Sequence, residues 1–207
     1  MDRNVFENFI SENERTIEAI SKSAWKLHQQ VGQTYGGRLP YGYHLSMVAD
    51  GILRYGYEII ASEEDILPVV FGAYYHDSIE DARQTYNDIK KKAMTFFSPA
   101  KALMATEIVY ALTNDKGRTR AERAGEHYYE GIRTTPYAPM VKLADRLANM
   151  TYSAKGLDTA NTRMREVYKE EWPHFLKSIT VSSEDNRLLL PPPMINEIKN
   201  ILAITNA

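Results

Sequence analysis

Apolar residues recur at three- and four-residue steps along most of the chain. At the N-terminus Val5, Phe6, Phe9, Ile10, Ile17, Ile20, Ala24 and Leu27 follow this rhythm with charged residues between them. That is the signature of a helix burying one face. It predicts an N-terminal helix, broken near Ser11 and ending before Gly32. The stretch from Gly32 to Pro40, with Gly36-Gly37 and Pro40, reads as a loop. A second helix runs from about Tyr41 to Tyr55, with Gly56 as its stop. Ser62 followed by Glu63, Glu64 and Asp65 has the form of a capped helix start with acids in its first turn. That third helix carries Ile66, Val69, Val70, Ala73 and Tyr74 and ends around His76-Asp77. Later helices are predicted over 85–97, 99–112, 118–132, 136–153, 160–178 and 193–204. Pro99 and Pro136 suit first-turn positions, and Pro191-Pro192-Pro193 reads as a rigid spacer. Neither 86–93 nor 109–112 shows the turn-bounded alternation of a strand. With no repeat, low-complexity block or composition shift, the prediction is one all-α domain over 1–207, of about eight to ten irregularly packed helices.

Charge and composition narrow the chemistry. The 207 residues carry 25 Lys+Arg against 27 Asp+Glu, a net charge of −2. This argues against a protein that coats nucleic acid or an anionic membrane. There is no cysteine, so disulfides, thiolate zinc sites and thiol nucleophiles are excluded. A transition-metal site must use His, Asp and Glu. The first residues, MDRNVFENFI, hold no apolar signal core, and no apolar run approaches the ~20 residues of a membrane helix. The expectation is a cytoplasmic protein with neither nucleic acid nor membrane as partner.

Among the histidines, neighbours separate His44 and His76 from His28, His127 and His174. His76 opens the run His76-Asp77-Ser78-Ile79-Glu80-Asp81, dense in acids at a helix end. Adjacent side chains on a helix diverge, but both can reach one ion where the chain turns. Asp145 lies within Val141-Lys142-Leu143-Ala144-Asp145-Arg146-Leu147-Ala148-Asn149, on an apolar helical surface that partly buries it. A buried carboxylate needs a cation partner. Plainer readings stand beside these. His28, His127 and His174 read as surface or core-edge residues, and Glu80-Asp81 as a solvated cap. Asp145 reads as a partner of Arg146 or of a neighbouring helix, Lys142 and Arg146 as a solvated edge, and Trp25 and Trp172 as packing.

His44, then His76-Asp77, then Asp145, on successive helices, resemble the H…HD…D ligand pattern of the HD-domain phosphohydrolases. His76-Asp77-Ser78-Ile79-Glu80-Asp81 is similar to the HDxxED signature of the small stand-alone ppGpp hydrolases of the RelA/SpoT family. Leu112-Thr113-Asn114-Asp115-Lys116, the segment from Val141 to Asn149, and Tyr168-Lys169-Glu170-Glu171-Trp172-Pro173 are similar to three further segments of that family. The resemblance covers about residues 20–178 and leaves 183–207 as a C-terminal helical extension. It implies one Mn²⁺ ion held by His44, His76, Asp77 and Asp145. Two imidazoles and two carboxylates suit such an ion but do not by themselves exclude iron, zinc or cobalt. It also implies Glu80 and Asp81 as the groups that orient or deprotonate water. Lys116, Lys142, Arg146, Asn149 and Tyr168 become substrate-contact candidates. The implied reaction removes the 3′-diphosphate of ppGpp or pppGpp, releasing pyrophosphate and GDP or GTP.

The sequence departs from the family in one place. The basic pair that precedes the first ligand histidine in the stand-alone relatives is absent from Gln33-Thr34-Tyr35-Gly36-Gly37-Arg38-Leu39-Pro40. Arg38 is the candidate to replace it. This bears on guanine preference more than on metal chemistry. A phosphatase or nucleotidase acting on another nucleotide, such as NADPH, therefore stays open. So does a helical module that binds a nucleotide without turnover.

Overall fold

The computed structural model describes residues 1–114 and 117–203. It is all-α, with ten helices of eight residues or more and two single turns among the described residues. The N-terminal pattern resolves into α1 (Arg3–Glu12) and α2 (Glu14–Gln30). The break falls at Asn13 rather than Ser11, because the Asn13 side chain donates back to the Phe9 carbonyl at 2.9 Å. Asp2 caps α1 by accepting from the Asn4 and Val5 amides. The predicted loop contains a minimal hairpin, β1 (Thr34–Tyr35) antiparallel to β2 (Leu39–Pro40). Gly36 and Gly37 turn it with positive φ, a conformation glycine adopts without steric cost.

Next come α3 (Gly42–Tyr55), α4 (Glu63–Tyr75) and the single turn α5 (Ser78–Asp81). α4 is the axis of the molecule. Ile66, Val69, Val70, Phe71, Ala73 and Tyr75 are fully buried, and the helix packs against α2, α3, α7 and α10. Each such isoleucine or phenylalanine contributes roughly 1.5–3 kcal/mol by leaving water. Its all-round apolarity fits a helix enclosed on every side. α6 (Tyr86–Ala93) opens with a capping box between Thr85 and Asp88 and ends before the predicted position 97. There the chain turns so that Phe96 and Phe97 pack their rings against Phe71.

α7 spans Pro99–Leu112 as predicted, with Pro99 in the first turn. The predicted helix over 118–132 divides into a single turn, α8 (Arg120–Arg123), and α9 (Glu126–Thr134), with Gly125 between them. α10 (Ala138–Ser153) begins later than predicted, and its early proline is Pro139, not Pro136. Tyr137 precedes it with φ +67°, a left-handed conformation that costs a non-glycine residue about 1–2 kcal/mol. Fixed contacts offset that cost. The Tyr137 amide donates to the Arg187 carbonyl at 2.6 Å, and its hydroxyl donates to Asp65 Oδ2 at 2.6 Å.

α11 (Thr159–Ile179) is capped by Asp158. α12 (Pro192–Ile201) takes Pro192 and Pro193 into its first turn, so the proline run is a helix start rather than a spacer. α12 buries Met194 and Ile198 against α3 and α10, and Arg54 pairs with Glu197 at 2.8 Å. No described helix is long and apolar enough to cross a membrane.

Candidate metal centre and its cavity

Four elements converge on one point. α3 presents His44 from its first turn, α4 ends at His76, Asp77 caps α5, and α10 presents Asp145. α3 and α10 come close because Gly51 has no side chain. A Cβ there would stand 3.1 Å from the Ala144 Cβ, one residue before Asp145. His44 Nε2 and His76 Nε2 are 3.3 Å apart. Asp145 Oδ1 lies 3.4 Å from the first and 3.9 Å from the second. The donor atoms of these three residues all fall within 4.8 Å of one another. Asp77 Oδ2 joins them, 2.8 Å from His76 Nε2 and 3.5 Å from His44 Nε2. Metal–ligand bonds of about 2.1 Å place neighbouring donors roughly 3.0–3.5 Å apart.

The surrounding hydrogen bonds favour a cation at this point. His76 Nδ1 lies 2.9 Å from the Ala73 carbonyl. That partner can only accept, so the proton sits on Nδ1 and the Nε2 lone pair faces the cluster. Tyr41 donates to Asp77 Oδ2 at 2.5 Å. Asn149 Nδ2 donates to Asp145 Oδ1 at 2.6 Å, and Lys142 Nζ to Asp145 Oδ2 at 2.9 Å. Tyr35 stacks on the His44 ring at 4.8 Å and donates to Asn149 Oδ1 at 2.9 Å. Without an ion, protons take its place. Burial opposes charge on His44, but Asp145 and Asp77 outweigh it and raise the imidazole to about 9. Burial likewise opposes ionisation of Asp77 and Asp145. The histidines, with Lys142 beside Asp145, hold both carboxyls below the usual range. His44, His76 and Asp145 so arranged could hold a metal ion, with the Asp77 carboxylate beside both imidazoles.

The cluster forms the floor of a cavity of about 590 Å³. Asp77 and Asp145 keep 21% and 13% of their side-chain surface open, so the carboxylates are accessible. Glu80 and Asp81 stand beside them on α5. Asn114 Nδ2 holds both Glu80 oxygens, at 3.0 and 2.9 Å. Burial and the charge of Asp77 push the Asp81 carboxyl up to about 6. The far wall is α11, with Tyr168, Glu171, His174 and Phe175, and Arg123 and Tyr128 border the same space.

The structure thus brings His44, His76, Asp77, Asp145, Glu80 and Asp81 together. Lys142 and Arg146 are not a solvated edge. Lys142 is tied to Asp145, and buried Arg146 pairs with Glu171 at 2.9 Å beneath the rings of Tyr168 and Phe175. Asp145 therefore partners Lys142, not Arg146. Asn149 has both ends of its amide engaged, by Asp145 and Tyr35. Tyr168 lines this cavity and a second one of about 260 Å³, shared with Tyr35, Asn149, Tyr152 and Met164. Arg38 borders neither; it pairs with Asp158 at 3.2 Å on the rim of the second. Lys116 lies outside the described residues. Trp172 is core, whereas Trp25 is 38% exposed.

Tyr35, Tyr41, Asn114, Arg123 and Glu171 were not singled out by sequence. Tyr35, Asn114 and Glu171 have partners far away along the chain, although Asn114 and Glu171 fall inside segments that carry the resemblance. No protein-family model matches the chain, and no curated protein matches it significantly.

Proposed function

We propose that this chain is a metal-dependent phosphohydrolase of nucleotides, acting on the 3′-diphosphate of ppGpp or pppGpp. The observation that carries this reading is the convergence of two imidazoles and two carboxylates on the floor of an open cavity, with an acidic pair beside them. A Mn²⁺ ion held by His44, His76, Asp77 and Asp145 would supply Lewis acidity toward a phosphoryl oxygen. The chain's own groups do the rest. Asp81, with its raised carboxyl pKa, takes the proton of the attacking water. Glu80, fixed by Asn114, orients that water. The water oxygen bonds to the phosphorus next to the ribose 3′ oxygen, the bond to that oxygen breaks, and a proton returns to it. Pyrophosphate and GDP or GTP result. Arg146 and Lys142 offset the charge that builds on the phosphoryl oxygens. The aromatic second cavity accommodates the base.

One observation favours a second reading, hydrolysis of another phosphorylated nucleotide such as NADPH. No lysine or arginine lines the second cavity among the described residues, and Arg38 is held outside it by Asp158. The test is incubation of Mn²⁺-loaded protein with ppGpp and separation of products by anion exchange. GDP and pyrophosphate are expected. Orthophosphate from a different nucleotide, with ppGpp intact, selects the second reading. Bound metal with every nucleotide unchanged overturns both.

A further inference from the structure

His28, near the end of α2, is 1% exposed, and neither of its ring nitrogens has a hydrogen-bond partner. Leaving a buried polar group unpaired is destabilising. A leucine would avoid that cost, so packing alone does not select this residue. The ring does have one well-defined neighbour. It lies face to face with Tyr41, with centroids 4.6 Å apart and planes 15° apart. Burial pushes the imidazole down to about 4, so the ring is uncharged and adds no repulsion to a cation nearby. Tyr41 donates to Asp77 Oδ2 at 2.5 Å. That same oxygen faces His76 Nε2 at 2.8 Å and His44 Nε2 at 3.5 Å. The direction of the Asp77 carboxylate thus depends on the Tyr41 hydroxyl, and the Tyr41 ring plane depends on what it lies against.

We propose that His28 is a positioning residue of the metal centre. Its flat ring sets the plane of Tyr41, so that the Tyr41 hydroxyl holds Asp77 Oδ2 toward His44 and His76. The proposal rests on the reading of these residues as a divalent-cation site and is independent of the substrate. The probes are Mn²⁺ affinity by calorimetry and the visible absorption of the Co²⁺-substituted protein, which reports ligand geometry. Hydrogen-bonding partners of metal ligands typically carry 10- to 100-fold in affinity. His28→Leu removes the flat face. It is expected to weaken Mn²⁺ about 10-fold or more and to shift the Co²⁺ bands. His28→Phe keeps a flat face without the unpaired nitrogens. It is expected to retain wild-type affinity and bands and to melt at higher temperature without metal. Tyr41→Phe keeps the stacked ring and loses the hydroxyl, so it should reproduce the His28→Leu loss. The double variant His28→Leu/Tyr41→Phe should bind no worse than either single one, as expected for residues acting in series.

Wild-type affinity and bands in either His28→Leu or Tyr41→Phe overturn the proposal. An equal defect in His28→Phe and His28→Leu overturns the role of the ring plane. If His28→Leu does not fold, His28→Met, which also lacks a flat ring, is measured in its place, and wild-type affinity and bands there overturn the proposal. A wild-type chain that binds neither Mn²⁺ nor Co²⁺ removes the metal centre itself, a failure distinct from that of His28.

Discussion

Asp81 and Glu80 sit side by side yet have different surroundings. Asp81 is partly buried next to the charge of Asp77, which raises its carboxyl to about 6. Glu80 is exposed and clamped by Asn114. A proton acceptor with that value works near neutral pH. Hydrolysis should therefore fall as pH drops, with an acid limb at or below about 6, since a cation at Asp77 favours ionised Asp81. Asp81→Asn is expected to cost about 10²-fold or more in kcat with Mn²⁺ still bound, checked by single-turnover kinetics beside metal analysis. Retained turnover would transfer the base role to Glu80. Asn114→Ala should leave the metal in place and reduce kcat more modestly, because Glu80 survives but loses its orientation. His44 makes a separate prediction. Its imidazole sits at about 9 without an ion and must be neutral to ligate, so Mn²⁺ binding near pH 7 should release close to one proton. Calorimetry in buffers of different ionisation enthalpy measures this. Zero release would mean that His44 is not a ligand.

At the scale of elements, the centre depends on how closely α3 and α10 approach. Gly51 faces Ala144, and even a methyl group there would sit at 3.1 Å. Gly51→Val must force the helices apart. Overpacking of this kind costs about 1–3 kcal/mol, and it widens the 3.4 Å gap between His44 and Asp145. Both lower thermal stability and weaker Mn²⁺ binding are expected. Weaker stability with unchanged affinity would show that the site does not feel this contact. The two helices also show what a sequence reveals. α3 and α10 were legible from apolar periodicity, and His44, His76-Asp77 and Asp145 from short motifs within single elements. The supports were not. Tyr35 reaches Asn149 across 114 positions, Glu80 reaches Asn114 across 34, and Arg146 reaches Glu171 across 25. The start of α10 was misplaced for the same reason. Tyr137 takes its left-handed conformation because Asp65 and Arg187 hold it there, and no local preference of Pro136 or Tyr137 announces that. Asp65→Ala should leave the buried Tyr137 hydroxyl unpaired and destabilise the fold by about 1–3 kcal/mol, read from chemical denaturation.

For the whole molecule, the centre links stability to both pH and metal. The His44 pKa rises from 6.5 to about 9 on folding without an ion. Its stabilisation is fully present below 6.5 and is lost as pH climbs through about 9. Asp77 and Asp145 have depressed values, so their contribution is present above about 4 and is lost as pH falls further. The metal-free chain should therefore be most stable in mildly acidic solution and weaken toward alkaline pH. An ion inverts the alkaline side, because it replaces the proton that His44 gives up. Mn²⁺ at about 100 times its dissociation constant adds about 2.7 kcal/mol, or on the order of 5–10 °C in a chain of this length. That increment should be larger near pH 8 than near pH 6 as proton competition fades. It should vanish in Asp77→Ala at either pH. Scanning calorimetry with and without Mn²⁺ at the two pH values decides it. An increment that is independent of pH, or one that survives in Asp77→Ala, would place the stabilising ion somewhere other than between His44, His76, Asp77 and Asp145.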